Sequence, residues 1–157
     1  MHRITYRKAG GQSTVEFALL SSALFLMLLG IFDFGRAISA YISIAEAVHE
    51  GARLLVLRSN MAASQDNNVV DATKAMIGGG GIVLVVDPCI AAKTTPCPST
   101  NPPTNTGYVW LTQNRTWGNQ LMTVKITYSW TPMTALIQSV VGNGIILTAS
   151  SSMRAEY

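Results

Sequence analysis

Sixteen consecutive residues, Phe17 to Phe32 (FALLSSALFLMLLGIF), carry no charge. At 1.5 Å per residue a helix over this run reaches about 24 Å, short of a hydrocarbon core about 30 Å thick. Taken from Val15 to Phe34 it has 20 residues and reaches about 30 Å, with Glu16 and Asp33 at its two ends. The segment can therefore cross a bilayer once, with both acids near the interfaces. The basic residues Arg3, Arg7 and Lys8 precede it and no acid does. The N-terminus is thus expected in the cytoplasm and the remainder of the chain outside.

A cleaved secretory signal would share the charged start and apolar core. Nothing breaks the helix after Phe32, however, and no proline occurs before Arg58. Ile38, Tyr41, Ala45, Val48, Ala52 and Leu55 recur at steps of three and four, one apolar stripe. Arg36, Ser43, Glu46, Glu50 and Arg53 fall off it. Ala45-Glu46-Ala47 has the small-x-small form of a signal-peptidase site but lies well inside this helix, which argues against cleavage there. Asp33 and Arg36 are three apart and can pair, read here as an exposed pair at the end of the span. Ala18 and Ser22 form a small-x-x-x-small step that permits close helix approach.

Charge narrows the function classes. Only 12% of residues are charged, against about 25% in ordinary soluble domains. The net charge of +3 resides in the leading residues, since without Arg3, Arg7 and Lys8 the chain holds 8 basic and 8 acidic residues. A nucleic-acid interface needs clustered Lys and Arg on the folded part. The sequence has no such cluster, so no nucleic-acid partner is expected.

Gly11 is followed by Gln12, Ser13, Thr14, Val15, Glu16 and Phe17. A glycine, an acid five places on and then an apolar helix is the layout of a type IV prepilin processing site. Gly11-Gln12-Ser13-Thr14-Val15-Glu16-Phe17-Ala18-Leu19, Gly30-Ile31-Phe32-Asp33-Phe34-Gly35-Arg36 and Glu50-Gly51-Ala52-Arg53 closely resemble the TadE-like family. Its members are pseudopilins, or minor pilins, of the tight-adherence (Tad, Flp-type IVb) pilus and secretion system. The resemblance resumes at Tyr128-Ser129-Trp130-Thr131-Pro132 and at Ala149-Ser150-Ser151-Ser152-Met153-Arg154-Ala155-Glu156, and is slight in between.

The resemblance implies that a membrane-embedded aspartyl prepilin peptidase cuts after Gly11. Gln12 would then become the mature N-terminus, with Glu16 and Phe17 completing the site. Tad major pilins usually carry Tyr after the glutamate. Phe17 lacks that phenol hydroxyl, which fits a pseudopilin. The implied partners are the peptidase, other pilins and pseudopilins, the Tad inner-membrane assembly platform and the lipid bilayer. The implied location is the bacterial inner membrane, single-pass, with incorporation into a surface pilus following from a filament role.

A carboxylate at the edge of hydrocarbon is costly unless paired. Glu16 either snorkels to water or neutralises the α-ammonium that cleavage would create at Gln12, about one helical turn away. The Gly11 spacing favours the second.

Three parts follow from these boundaries: a leader over 1–11, a transmembrane and amphipathic helix over 12–58, and an exported α+β domain over 59–157. In the last part, Asn60 to Ile77 reads as a break and then a second helix. Ser64 or Asp66 caps it, and Val69, Val70, Thr73, Met76 and Ile77 form its apolar face. Gly78 to Gly81 stops it, and Gly-Lys-Ser/Thr is absent, so these glycines form a turn rather than a phosphate loop. Ile82 to Val86 reads as a strand ending at Asp87-Pro88, and residues 88–107 as a proline-rich surface loop.

Cys89 and Cys97 both lie in that loop. In an exported chain they are expected to form a disulfide, with a metal site or free thiols as the alternatives. His2 and His49 are far from them in sequence, so no metal is expected, and no cofactor.

Tyr108 to Thr112 suggests another strand, and Trp117-Gly118-Asn119 a turn. From Met122 the alternation is clear, with Met122, Val124, Ile126, Tyr128 and Trp130 on one face. Pro132 ends that strand, and Thr134 to Val141 suggests one or two helical turns. The last strand, Ile145 to Tyr157, sets Ile145, Leu147, Ala149, Ser151, Met153 and Ala155 against Arg154 and Glu156 on the solvent face. The expected architecture is α+β, a long N-terminal helix packed on a small antiparallel sheet.

No catalytic motif is present: His49-Glu50 lacks the second His of H-E-x-x-H, G-x-S-x-G is absent, and the serines have no partnered His in sequence. The chain reads as a peptidase substrate and not as an enzyme. Two functions from different classes fit it. One is a membrane-anchored pseudopilin that takes part in assembling a pilus used for adhesion. The other is a single-pass envelope binding protein whose exported domain holds a ligand or partner.

Overall fold

The computed structural model of the chain describes residues 11–57, 66–77, 81–87, 101–116, 119–142 and 144–155. Helix α1, Gln12–Leu57, runs unbroken for 46 residues, about 69 Å at 1.5 Å each. Absence of proline permits this, and Leu, Ala, Met and Glu supply the propensity. Helix α2 is Asp66–Met76. The strands are β1 Val83–Val86, β2 Thr106–Thr116, β3 Asn119–Trp130 and β4 Ile145–Ala155, with the short helix α3, Ala135–Val141, between the last two. This is the expected α+β arrangement, and the second helix, the strand at Val83–Val86 and the turns after Thr134 all stand where the sequence put them. The strand expected over Tyr108 to Thr112 extends to 11 residues.

The sheet is mixed rather than antiparallel. Its order is β1-β2-β3-β4, and β1 lies parallel to β2, with Val83 opposite Thr106 and Val86 opposite Val109. A parallel pair needs a crossover of roughly a dozen residues or more. The chain between Val86 and Thr106 is long enough to supply one. β2–β3 and β3–β4 are antiparallel, pairing Val109 with Ile126 and Ile126 with Ala149. Cys89, Cys97, Trp117, Gly118, Glu156 and Tyr157 lie outside the described residues, as do Gly78 to Gly80 and Ser64.

Register sets one face of the sheet. Leu84, Val109, Met122, Val124, Ile126, Tyr128, Trp130 and Ala149 are buried in one core, in which β3 and β4 pack against α1. Met122, Val124 and Ile126 are wholly shielded from solvent, as the alternation of β3 required. Arg154 stands exposed on the outer side.

The buried face of α1 differs from the expected stripe. Ala40, Ile44, Ala47, Val48, Gly51, Ala52 and Leu55 are buried, whereas Ile38 and Tyr41 are 44% and 48% exposed. Two partners grip this helix, the sheet on one side and α2 on another. They widen the buried face to include positions that a single stripe leaves out. On α2, Val69, Val70, Thr73 and Ile77 are buried, but Met76, expected on that face, is 56% exposed.

The first half of α1 has no such partners. Phe17, Leu20, Phe25, Met27, Ile31, Phe32 and Phe34 are each more than half exposed. No residue of the most apolar stretch of the helix is buried among the described residues.

Candidate functional site

Three places on α1 carry polar chemistry, and each falls in a segment that the sequence singled out.

The first is the start of the helix. Gly11 occupies a turn and Gln12 is the first helical residue. The Gly11 carbonyl accepts from Val15 N–H at 3.2 Å, so the helix ladder begins at the glycine itself. Gln12 Nε2 donates to Glu16 Oε1 at 2.9 Å across one turn. Residues 11 to 20 are all exposed, Phe17 to 73%, and no other atom approaches the position a Gly11 Cβ would take. Among the described residues, nothing covers the Gly11–Gln12 peptide bond. Glu16 stands within hydrogen-bonding reach of residue 12.

The second is Asp33. The sequence suggested an exposed pair with Arg36, and the structure corrects this. Arg36 Nη1 does lie 3.4 Å from Asp33 Oδ1, but Asp33 is only 2% exposed. Its carboxylate also accepts the backbone N–H of Met133 on Oδ1 and that of Thr134 on Oδ2, each at 3.0 Å. Thr134 is the N-cap of α3, and its own side chain makes no capping bond. The acid at the C-terminal end of the apolar run thus holds the entry to α3 from a hundred residues away in sequence. Buried carboxylates persist where such partners occupy their oxygens. Nothing local in the sequence marks this pairing. It joins two turns that only the fold brings together.

Beside it, Asn105 ties β2 to the end of β3. Asn105 N–H donates to Ser129 O at 2.7 Å, and Asn105 Oδ1 accepts from Thr131 Oγ1 at 2.7 Å. Its φ of 56° is left-handed, a conformation that Asn tolerates better than most residues. Thr131 belongs to the Tyr128–Pro132 run. Burial pushes the Tyr128 phenol up from its ordinary pKa, against the pull of the nearby Arg36 charge.

The third is Glu50-Gly51-Ala52-Arg53. Arg53 Nε donates to Glu50 Oε2 at 2.8 Å, and Arg53 Nη2 donates to the other oxygen. The hydrogen bond from Arg53 holds Glu50 below the ordinary carboxylate pKa and raises Arg53. Between them Gly51 and Ala52 face inward and are buried. A Cβ on Gly51 would meet Thr73 Oγ1 of α2 at 2.5 Å. Glycine is what lets α2 lie against α1.

His49 does acquire a serine in the fold. Its Nδ1 lies 3.3 Å from Ser151 Oγ, linking α1 to β4. Ser151 is 8% exposed, so the contact serves helix–sheet packing.

A long N-terminal helix whose most apolar stretch has no residue buried among the described residues, continuing into the core of a small α+β domain, fits a single-pass membrane protein. Residues 11–53 match the family model described as TadE-like protein. The match covers nearly all of α1 and none of α2 or the sheet. The match opens on Gly11 and closes on Arg53, the first and last residues of the three places described. No curated protein and no solved structure matches the chain.

Proposed function

We propose that the chain is a membrane-anchored pseudopilin, or minor pilin, that a prepilin peptidase cuts after Gly11 and that then takes part in assembling a Tad, type IVb pilus used for adhesion. One observation carries the reading. An uncovered apolar helix begins at Gln12, directly after an exposed glycine, and Glu16 stands one turn above residue 12. A peptidase needs an open bond, a bilayer and a filament core both need an uncovered apolar helix, and Glu16 is placed to meet a new ammonium. The leader 1–11 would be removed. The rest of the helix and the domain from residue 59 would stay together, since α1 forms part of that domain's core.

In this reading the leader stays in the cytoplasm, the exported domain lies across the inner membrane, and the partners are the peptidase, other pilins and the assembly platform. The retained leader would keep Arg3, Arg7 and Lys8 beside the span, and a helix with a charged end does not readily leave the bilayer for a bundle. Gly11→Ala tests this. The variant should insert normally, keep its leader by mass measurement of the membrane pool, and yield no normal pili. A chain starting at Gln12 in that variant, or normal pili with the leader kept, sinks the reading and favours an anchored envelope binding protein.

A further inference from the structure

We infer that α3 and the start of β4 form a second membrane contact, an interfacial anchor that lies in the outer face of the same bilayer that α1 crosses. The inference rests on the reading that Val15 to Phe34 spans that bilayer.

Position along α1 is the first argument. Asp33 holds the N–H groups of Met133 and Thr134, so the entry to α3 sits level with the outer end of the span. A Cβ on Gly30 would lie 3.8 Å from Ile137 Cδ1, so Ile137 sits level with Gly30. Gly30 is four residues below Phe34, about 6 Å along the axis. From Thr134 to Ile137 the chain therefore descends beside α1 into the last turn of the apolar run. Interfacial helices bury their apolar face by about 5–10 Å, the same depth.

Surface chemistry is the second. Met133, Leu136 and Val140 recur at steps of three and four and are 72%, 53% and 81% exposed. Ile145 and Ile146 beyond them are exposed as well, and no residue of α3 is buried. In water this face would be an uncompensated apolar patch. It is continuous in level with the exposed Ile31, Phe32 and Phe34 of α1. Ile137 and Val141 face the other way and, with Phe34, Ile38 and Tyr41, line an open apolar groove of about 470 Å³ between α1 and α3.

Charge is the third. No Asp, Glu, Lys or Arg occurs between Lys125 and Arg154. Lys125 is five residues up β3 from Trp130, about 17 Å at 3.3 Å per residue. The edge of the sheet beside α3 is thus an uncharged belt, and the sheet's charges begin only well away from it. Asp33, at the entry to α3, is paired with Arg36. A protein partner would not require the belt to end at the level where α1 leaves the hydrocarbon, whereas a bilayer does.

The test uses the full chain with Cys89→Ser and Cys97→Ser, carrying one cysteine-linked fluorophore at Leu136, Val140, Phe34, Leu24 or Lys125. It is reconstituted into phosphatidylethanolamine and phosphatidylglycerol vesicles whose lipids carry a quencher near either the carboxyl or the methyl end of the acyl chain. Leu24 should be quenched most by the deep label and Lys125 by neither. Leu136 and Val140 should be quenched by the shallow label as strongly as Phe34. Quenching at Leu24 without quenching at Leu136 and Val140 overturns the anchor and leaves the span intact. Absence of quenching at Leu24 overturns both. Loss of fluorescence at Leu136 only when a second labelled copy is added assigns the face to a copy of the chain and overturns the bilayer assignment.

Discussion

Gly51→Ala sets two opposed effects against each other on one residue. Alanine is favoured over glycine inside a helix by about 1 kcal/mol, because glycine loses more backbone entropy. Against this, the new Cβ would stand 2.5 Å from Thr73 Oγ1, 3.3 Å from Thr73 Cγ2 and 3.4 Å from Val124 Cγ1. Thr73 cannot yield cheaply. It is fully buried, β-branched, and its hydroxyl donates to Val69 O at 2.7 Å, so rotation would cost that bond and drive a methyl group into the core. Overpacking of this kind costs about 1–3 kcal/mol. The net expectation is a loss of about 0–2 kcal/mol once the propensity gain is deducted. The sign should reverse when Thr73 is first replaced by alanine. In the Thr73→Ala chain, Gly51→Ala removes no space that is needed, and a gain of up to about 1 kcal/mol should remain. Denaturant unfolding in detergent micelles, followed by near-ultraviolet circular dichroism for the four chains of the cycle, reads the coupling directly. If Gly51→Ala changes stability by the same amount with Thr73 and with Ala at that position, close approach of α2 is not why glycine stands there.

Asp33→Ala should leave the Met133 and Thr134 N–H groups without their acceptor. At about 1.5–3 kcal/mol per charge-assisted bond, local protection should fall by about 3 kcal/mol, or roughly 100-fold faster amide exchange. Unchanged exchange at both amides would show that the carboxylate does not hold α3. Glu16→Ala should still be cut after Gly11 yet fail to yield pili, because an uncompensated ammonium in low dielectric costs several kcal/mol. Normal piliation of that variant would remove Glu16 from assembly. Cys89 and Cys97 should resist alkylation until reduced, and the bridge should contribute at most about 2–3 kcal/mol in the chain-entropy picture. Two free thiols in protein isolated under alkylating conditions would refute the pairing. Phosphatase fused after Tyr157 should be active, and activity of a cytoplasmic reporter there instead would reverse the orientation.

Those readings that came directly from the sequence rest on periodicity and on runs. The uncharged stretch from Phe17 to Phe32 and the lack of proline before Arg58 determined a single long helix, because backbone bonding in a helix is local and needs no partner. The two-residue alternation from Met122 to Trp130 determined which side of β3 is buried, because a strand's side chains alternate whatever the strand packs against. Other features depend on which elements meet, and no local pattern carries that. β1 runs parallel to β2 because a long segment returns the chain to the same end, which the valine run alone could not reveal. Ile38 and Tyr41 lie open because the sheet and α2 share α1 between them, although both fit the stripe. Gly51 stands in the Glu50–Arg53 run that carries the resemblance, but only the fold shows it as the place where α2 comes close. Asp33 is the clearest case. Its sequence neighbours offer it Arg36 alone, and its two backbone partners lie a hundred residues downstream, so its burial was decided by tertiary structure, through the hydrogen bonds that make a carboxylate tolerable there.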